Sequence, residues 1–236
     1  MSRSGAAGRV AIVTGAASGI GAAAAAELAS RGWSVAGFDL RPSPLCSVDL
    51  IVDMTSADEV TAAVARVERE LGPVSAAVSA AGYYEMLPVA EITPDHWRRM
   101  LSVHVGGFVN LARAVMPAMT AAGGGSIVSI ASELAIGGGS HDAHYAAAKG
   151  ALLGLVRSLA AEAAPSGIRV NAVAPGPTDT PLLAADSPWR APEYLATLPL
   201  GRLTSPEEVA LCIAFLLDEG TFCVGETLNP NAGAVI

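Results

Sequence analysis

Tyr145 and Lys149 stand four residues apart in a stretch with helical character, so they share one helix face. Ser132 lies upstream, at the end of a strand-like run. These three residue types form a set that can move a proton on an alcohol. A phenol has a pKa of about 10 and is a poor base at neutral pH. A nearby lysine ammonium favours the phenolate and is expected to lower that value. Tyr145 could then take the proton of an alcohol while hydride leaves for an oxidised nicotinamide, whose own positive charge acts in the same direction. The Ser132 hydroxyl could hold the substrate oxygen as its charge changes. Taken alone, Tyr-x-x-x-Lys occurs often by chance, and a half-exposed helix pair is its ordinary explanation. The remaining motifs must decide between the two.

Thr14-Gly15-Ala16-Ala17-Ser18-Gly19-Ile20-Gly21 joins an apolar run to an alanine-rich one. Glycines in such a turn let the backbone approach a pyrophosphate, and the following helix supplies N–H donors and partial positive charge. Three spaced glycines also fit any strand-to-helix turn. The placement after a buried strand near the chain start points to a nucleotide, with Gly15, Ser18, Gly19 and Ile20 as contacts. Asp39 ends the second strand-like run, where an acid would bind the adenosine ribose hydroxyls and repel a 2′-phosphate. It favours NAD(H) over NADP(H). Arg41 beside it pulls the other way, and a solvated loop acid is the alternative for Asp39.

Elements that could position these groups alternate along the chain. Strands are expected at Val10–Thr14, Ser34–Asp39, Val48–Val52, Val74–Ser79, Ser126–Ala131, Ile168–Ala174 and Thr227–Asn229. Helices are expected at Gly19–Arg31, Ser56–Leu71 (with Ser56 as N-cap), Pro94–Ala122, His144–Ala164 and Pro206–Leu217. The link between the second and third strands is too short for a crossover helix. Repeated β-α-β units give an α/β fold: one doubly wound Rossmann domain over residues 1–236, with about seven parallel strands and helices on both faces. Pro175–Leu200 is irregular and proline-rich, and the region 178–205 is a candidate substrate lid.

Composition narrows the classes. The chain has 236 residues, enough for a full core without disulfides or metals. Its 52% hydrophobic content is alanine-heavy, and Glu27 and Arg157 break the longest apolar runs, so no membrane span is expected. Met1–Arg9 lacks the apolar core of a signal peptide. The expected location is the cytoplasm. A net charge of −8 argues against nucleic acid as partner. Cys46, Cys212 and Cys223 have no metal-ligand spacing, and His141 and His144 lack companions that would complete a metal site.

Together these motifs resemble the short-chain dehydrogenase/reductase family. Thr14-Gly15-x-x-x-Gly19-Ile20-Gly21 matches the family's cofactor turn. Ser132, Tyr145 and Lys149 match its catalytic residues in order and spacing. Asn171–Thr180 matches the segment that wraps the nicotinamide end, and Gly201-Arg202-Leu203 with Pro206–Ala210 matches a late helix signature. The resemblance implies that Asp53 and Met54 contact adenine and that Ala81 and Gly82 pass beside the adenosine ribose. It implies that Tyr145 and Lys149 also touch the cofactor, with Lys149 on the nicotinamide ribose. Pro175 and Gly176 would line the nicotinamide, with Thr178 and Thr180 on its carboxamide. It further implies a homo-oligomer, tetramer or dimer, built on the two long helices, and a small alcohol or ketone as substrate.

Three positions depart from the family pattern. Ala80-Ala81-Gly82 replaces an Asn-Ala-Gly, and Ala232-Gly233 replaces a glycine pair. His104 stands where the family has an asparagine that supports a proton-relay water. An imidazole could organise that relay or merely fill the space. Within the family, the stretches around Ile130–Ser132, Pro175–Leu183 and Pro199–Leu203 are most similar to dehydrogenases of hydroxyacyl thioesters, of the 3-oxoacyl-carrier-protein reductase and 2-hydroxycyclohexanecarboxyl-CoA dehydrogenase type. Cyclic alcohols and dihydrodiols are alternatives. A non-catalytic NAD(H)-binding scaffold or redox sensor on the same fold is the competing class. The intact Ser132, Tyr145 and Lys149 argue against it.

Overall fold

Short runs of valine, isoleucine and alanine form the centre of the molecule. The computed structural model describes residues 9–236. The glycine- and alanine-rich start, read above as lacking a signal core, lies outside the described residues except for Arg9. Strand β1 (Val10–Thr14) is buried along its whole length. Its side chains alternate between two layers, as successive strand residues must. Val10 and Ile12 enter one apolar cluster, and Ala11 and Val13 enter the other. A strand buried on both faces reads as a continuous apolar run rather than an alternating one.

Six further strands are β2 (Ser34–Asp39), β3 (Val48–Ile51), β4 (Val74–Ser79), β5 (Gly125–Ile130), β6 (Ile168–Val173) and β7 (Thr227–Leu228). Every pairing is parallel, in the order β3-β2-β1-β4-β5-β6-β7. The direction of winding therefore reverses between β1 and β4, which opens a crevice at the carboxyl edge of the sheet. The fold is an α/β doubly wound Rossmann-like sheet.

Helices cover both faces. Helix α1 (Gly19–Ser30) packs with α8 (Pro206–Asp218) on one side, the latter begun by a capping box of Ser205 and Glu208. Helix α2 (Ala57–Leu71) starts at Ser56, whose side chain accepts from the Glu59 N–H as an N-cap should. It packs against the opposite layer. The expected single helix over 94–122 is in fact three pieces. Helix α3 (Pro94–Leu101) runs into a π-helical turn (Ser102–Gly106) and then into α4 (Gly107–Ala121). The one-turn α5 (Leu134–Gly137) follows β5, and α6 (Ala143–Ala163) carries Tyr145 and Lys149. The irregular stretch before α8 contains only a short 3-10 turn (Pro188–Arg190) and α7 (Pro192–Leu195). Residues 40–47 link β2 to β3 with no helix, as their number required. No helix of the described residues is long and apolar enough to cross a membrane.

Candidate active site

Ser132 sits two residues past the end of β5, and Tyr145 and Lys149 lie one turn apart at the start of α6. All three are buried. The Lys149 Nζ donates to the carbonyl oxygen of Ile130 at 2.7 Å, which ties the helix to the strand end. The Ser132 Oγ accepts from the Leu134 N–H at 3.2 Å and is hydrogen-bonded with the Tyr145 hydroxyl. Two rings stand edge-on to Tyr145: Tyr84 at 5.0 Å and His104 at 5.5 Å between centroids.

The electrostatics correct one expectation. Lys149 was expected to draw the Tyr145 pKa down. Instead, burial pushes the phenol well above its ordinary value. The bond with Ser132 opposes this, while the Glu133 and Asp142 carboxyls reinforce it. Lys149 is itself desolvated and falls to about 7. Removing both groups from water disfavours their charged forms more than they help each other.

His104 projects from the π turn, a wider helical turn that commonly occurs at functional sites. Its Nε2 lies 2.9 Å from the Tyr83 carbonyl oxygen, and Nδ1 is buried without a partner. Burial, with the Lys149 charge adding to it, lowers the imidazole to about 3. It is therefore neutral at physiological pH, and one nitrogen bonds the backbone as a structural wedge would.

The β1–α1 turn forms a cradle. At Gly15 (φ +70°) a Cβ would stand 2.9 Å from the Ala80 carbonyl oxygen, and at Gly21 it would meet the Gly15 oxygen at 2.1 Å. Side chains at these positions would collide with the backbone around them and force the turn open, so glycine is what lets the strand end, the turn and the helix start pack this closely. Ser18 caps α1 without bonding its amides, and its Oγ accepts from Arg41 at 3.1 Å. The Asp39 carboxylate accepts from the Ala17 N–H at 3.1 Å and the Arg41 N–H at 3.0 Å. Thr14 Oγ1 accepts from both Ala80 N and Ala81 N, at 3.0 Å each, and so anchors the strand end where the family's asparagine is missing. Asn110 Nδ2 donates to the Met54 carbonyl oxygen at 2.9 Å. Thr180 packs on Gly19, and Thr178 Oγ1 donates to the Gly176 carbonyl oxygen at 2.8 Å.

One cleft of about 500 Å³ joins this cradle to Ser132, Tyr145 and Lys149. Every residue assigned above to cofactor or catalysis lines it, including Asp39, Asp53, Met54, Ala81, Gly82, His104, Pro175, Gly176, Thr178 and Thr180. Leu182, Leu183 and Trp189 line it too. His96, by contrast, is half-buried away from the cleft and serves with Thr93 as the capping box of α3.

Sequence reasoning missed Tyr84, Asp142 and Glu133 here. The Tyr84 hydroxyl donates to Asp142 Oδ1 at 2.7 Å and accepts from Trp189 Nε1 at 2.9 Å. No spacing rule links residues so far apart in the chain. Glu133 is also buried against the cleft, and a carboxylate directly after a candidate catalytic serine was a readable signal.

A family model described as enoyl-(acyl carrier protein) reductase matches residues 15–234. The chain belongs to the short-chain dehydrogenase/reductase family. Among the members it resembles is the cis-4-hydroxycyclohexanecarboxylate dehydrogenase of Sinomonas cyclohexanicum, 41% identical over 95% of this chain and 96% of that one. The 3-oxoacyl-(acyl-carrier-protein) reductase of Escherichia coli is 34% identical over 96% and 97%. The ligand-free aldohexose dehydrogenase of Thermoplasma acidophilum superposes with a TM-score of 0.89 at 30% identity, covering 96% of this chain and 93% of that structure. Short-chain dehydrogenase/reductase chains bind a nicotinamide cofactor, and the glycine cradle and Asp39 described above suit one.

Proposed function

We propose that the protein interconverts a secondary alcohol and a ketone with NAD(H), on a cyclic or hydroxyacyl substrate. The observation that carries this is the meeting of Ser132, Tyr145 and Lys149 in the cleft that also holds the glycine cradle. When bound, the cofactor accepts or returns a hydride. The chain's own residues do the rest. Tyr145 takes the hydroxyl proton in oxidation and returns it in reduction. The Ser132 hydroxyl orients the substrate oxygen. Lys149 holds the nicotinamide ribose, fixed by its bond to Ile130. His104 is a positioning residue that braces Tyr145 edge-on.

The NAD(H) preference rests on Asp39, whose charge opposes a 2′-phosphate. Gly15, Ser18, Gly19 and Ile20 face the pyrophosphate side, and Asp53, Met54, Ala81 and Gly82 the adenosine side. Pro175, Gly176, Thr178 and Thr180 face the nicotinamide. The chain acts as one catalytic domain with residues 178–205 as its lid, held together within itself by Arg190, which bonds Asp179 at 2.7 Å and the carbonyls of Thr180, Leu183 and Ala184. Unpaired Cys46, Cys212 and Cys223 suit the reducing cytoplasm. Assembly as a tetramer or dimer through α3–α4 and α6 is part of this reading, and light scattering of the purified protein checks it.

The test is titration with NADH and NADPH by nicotinamide fluorescence, then oxidation of cyclic alcohols and 3-hydroxyacyl thioesters. NADH binding with turnover of either class is expected. NADH binding without turnover of any secondary alcohol would overturn the enzyme reading in favour of a scaffold.

A further inference from the structure

We infer that Glu133 is a specificity-determining residue that binds a second hydroxyl of the substrate, on the carbon next to the one oxidised. The favoured substrates are then vicinal diols and the matching hydroxyketones. This rests on the oxidoreductase reading above.

Glu133 follows Ser132 and lines the same cleft. It is 5% exposed, and its Oε2 is fully buried without a hydrogen-bond partner. Its backbone is fixed, because its N–H donates to the Pro175 carbonyl oxygen at 3.0 Å. The carboxyl reaches over Gly176, where a Cβ would stand 2.4 Å from Oε2. A glycine at this point leaves room for the acid beside the nicotinamide segment. The carboxyl is also close enough to Tyr145 and to Tyr194 in α7 for its charge to raise both phenols.

Oε2 is closed off against Gly176 and Asn231, so the other carboxyl oxygen is the one that can meet a ligand in the cleft. Desolvation raises the Glu133 pKa to about 8, so the group is a neutral acid at neutral pH. A neutral carboxylic acid has one O–H donor and one carbonyl acceptor. A hydroxyl, itself donor and acceptor, matches both. A substrate carboxylate would need a free cation nearby. Lys149 is spent on the Ile130 carbonyl, Arg190 on Asp179 and lid carbonyls, and Arg99 lies over the Tyr83 ring.

The experiment compares kcat/KM for cis-cyclohexane-1,2-diol, cyclohexanol and cis-4-hydroxycyclohexanecarboxylate, using wild type, Glu133→Leu and Glu133→Gln with NAD⁺. Wild type should prefer the diol. Glu133→Leu should lower the diol-to-cyclohexanol ratio about tenfold or more, because the hydroxyl then loses its partner. Glu133→Gln, which keeps a donor and an acceptor, should restore most of the ratio. An equal ratio in wild type and Glu133→Leu, both being active, would overturn the assignment alone. So would a wild-type preference for cyclohexanol or for the carboxylate. NADH binding with no turnover of any of the three would remove the oxidoreductase reading and this assignment with it. Unchanged NADH affinity in Glu133→Leu confirms that the variant is folded.

Discussion

The Lys149 Nζ lies 5.6 Å from the centroid of the Tyr145 ring, and both groups are withdrawn from water. Their proximity does not leave a phenolate at rest. The proton stays on Tyr145, and Lys149 titrates near neutrality, at about 7.

The first prediction follows from that protonation state. Alcohol oxidation needs the deprotonated phenol, so kcat/KM for oxidation should rise with pH across the alkaline range. Ketone reduction needs the protonated form and should fall as the phenol finally ionises. Initial rates of NADH formation and consumption against pH measure both limbs. Tyr145→Phe should lower the oxidation rate about a hundredfold or more while still binding NADH. Wild-type turnover in that variant would remove Tyr145 from the mechanism.

Cofactor choice can be read at Asp39. Asp39→Asn removes the charge and keeps an acceptor oxygen for only one of the Ala17 and Arg41 N–H groups, which bond different oxygens of the carboxylate. NADPH affinity should improve about tenfold against NADH, with the Arg41 guanidinium, 3.1 Å from Ser18 Oγ, free to take the 2′-phosphate. Paired fluorescence titrations give the ratio. If wild type already prefers NADPH, Asp39 does not have the ribose role.

His104 sets an acid limit on stability. Its folded pKa of about 3 lies below the ordinary value of 6.5. Between those values only the unfolded chain binds the proton. The stabilising contribution is therefore complete above pH 6.5 and drains away as pH falls toward 3. His104→Asn should flatten the fall in melting temperature between pH 7 and pH 4.5. The alkaline limb of its rate profile should coincide with wild type, because His104 does not titrate there. A shifted alkaline limb would give His104 a part in proton transfer.

Trp189→Phe removes the indole N–H that reaches Tyr84, together with part of the ring that packs against Tyr194. Losing one hydrogen bond costs about 1 kcal/mol. A several-fold rise in substrate KM is expected, with faster tryptic cleavage within residues 178–205. Unaltered KM and cleavage would mean that this bond does not hold the segment down.

Much of this molecule was legible in its residues, for identifiable reasons. The strands β1, β2 and β4 matched their expected bounds because apolar runs buried on both faces end abruptly at glycine, serine or aspartate. Helix α2 announced itself through Ser56, and α8 matched its expected bounds to within one residue, while its Ser205–Glu208 box emerged only in the structure. The π turn was invisible, because the Gly106-Gly107 pair at its end weakens a helix without saying whether it breaks, bends or widens. The Tyr145 proton was misjudged for a related reason: spacing reports which charges are near, and only burial reports how much water is lost. The Tyr84–Asp142–Trp189 chain joins three separate loops, which no local pattern encodes.

The π turn also sets where the chain can tolerate a change of length. An α-helix advances about 100° per residue. The wide turn takes up one extra residue, so any further change of length between α3 and α4 would swing α4 by that angle. Asn110 would leave the Met54 carbonyl, and Phe108 and Leu111 would turn out of the core. Insertions and deletions should therefore accumulate in exposed links such as 40–47, while the irregular helix in the middle of the protein keeps a fixed residue count.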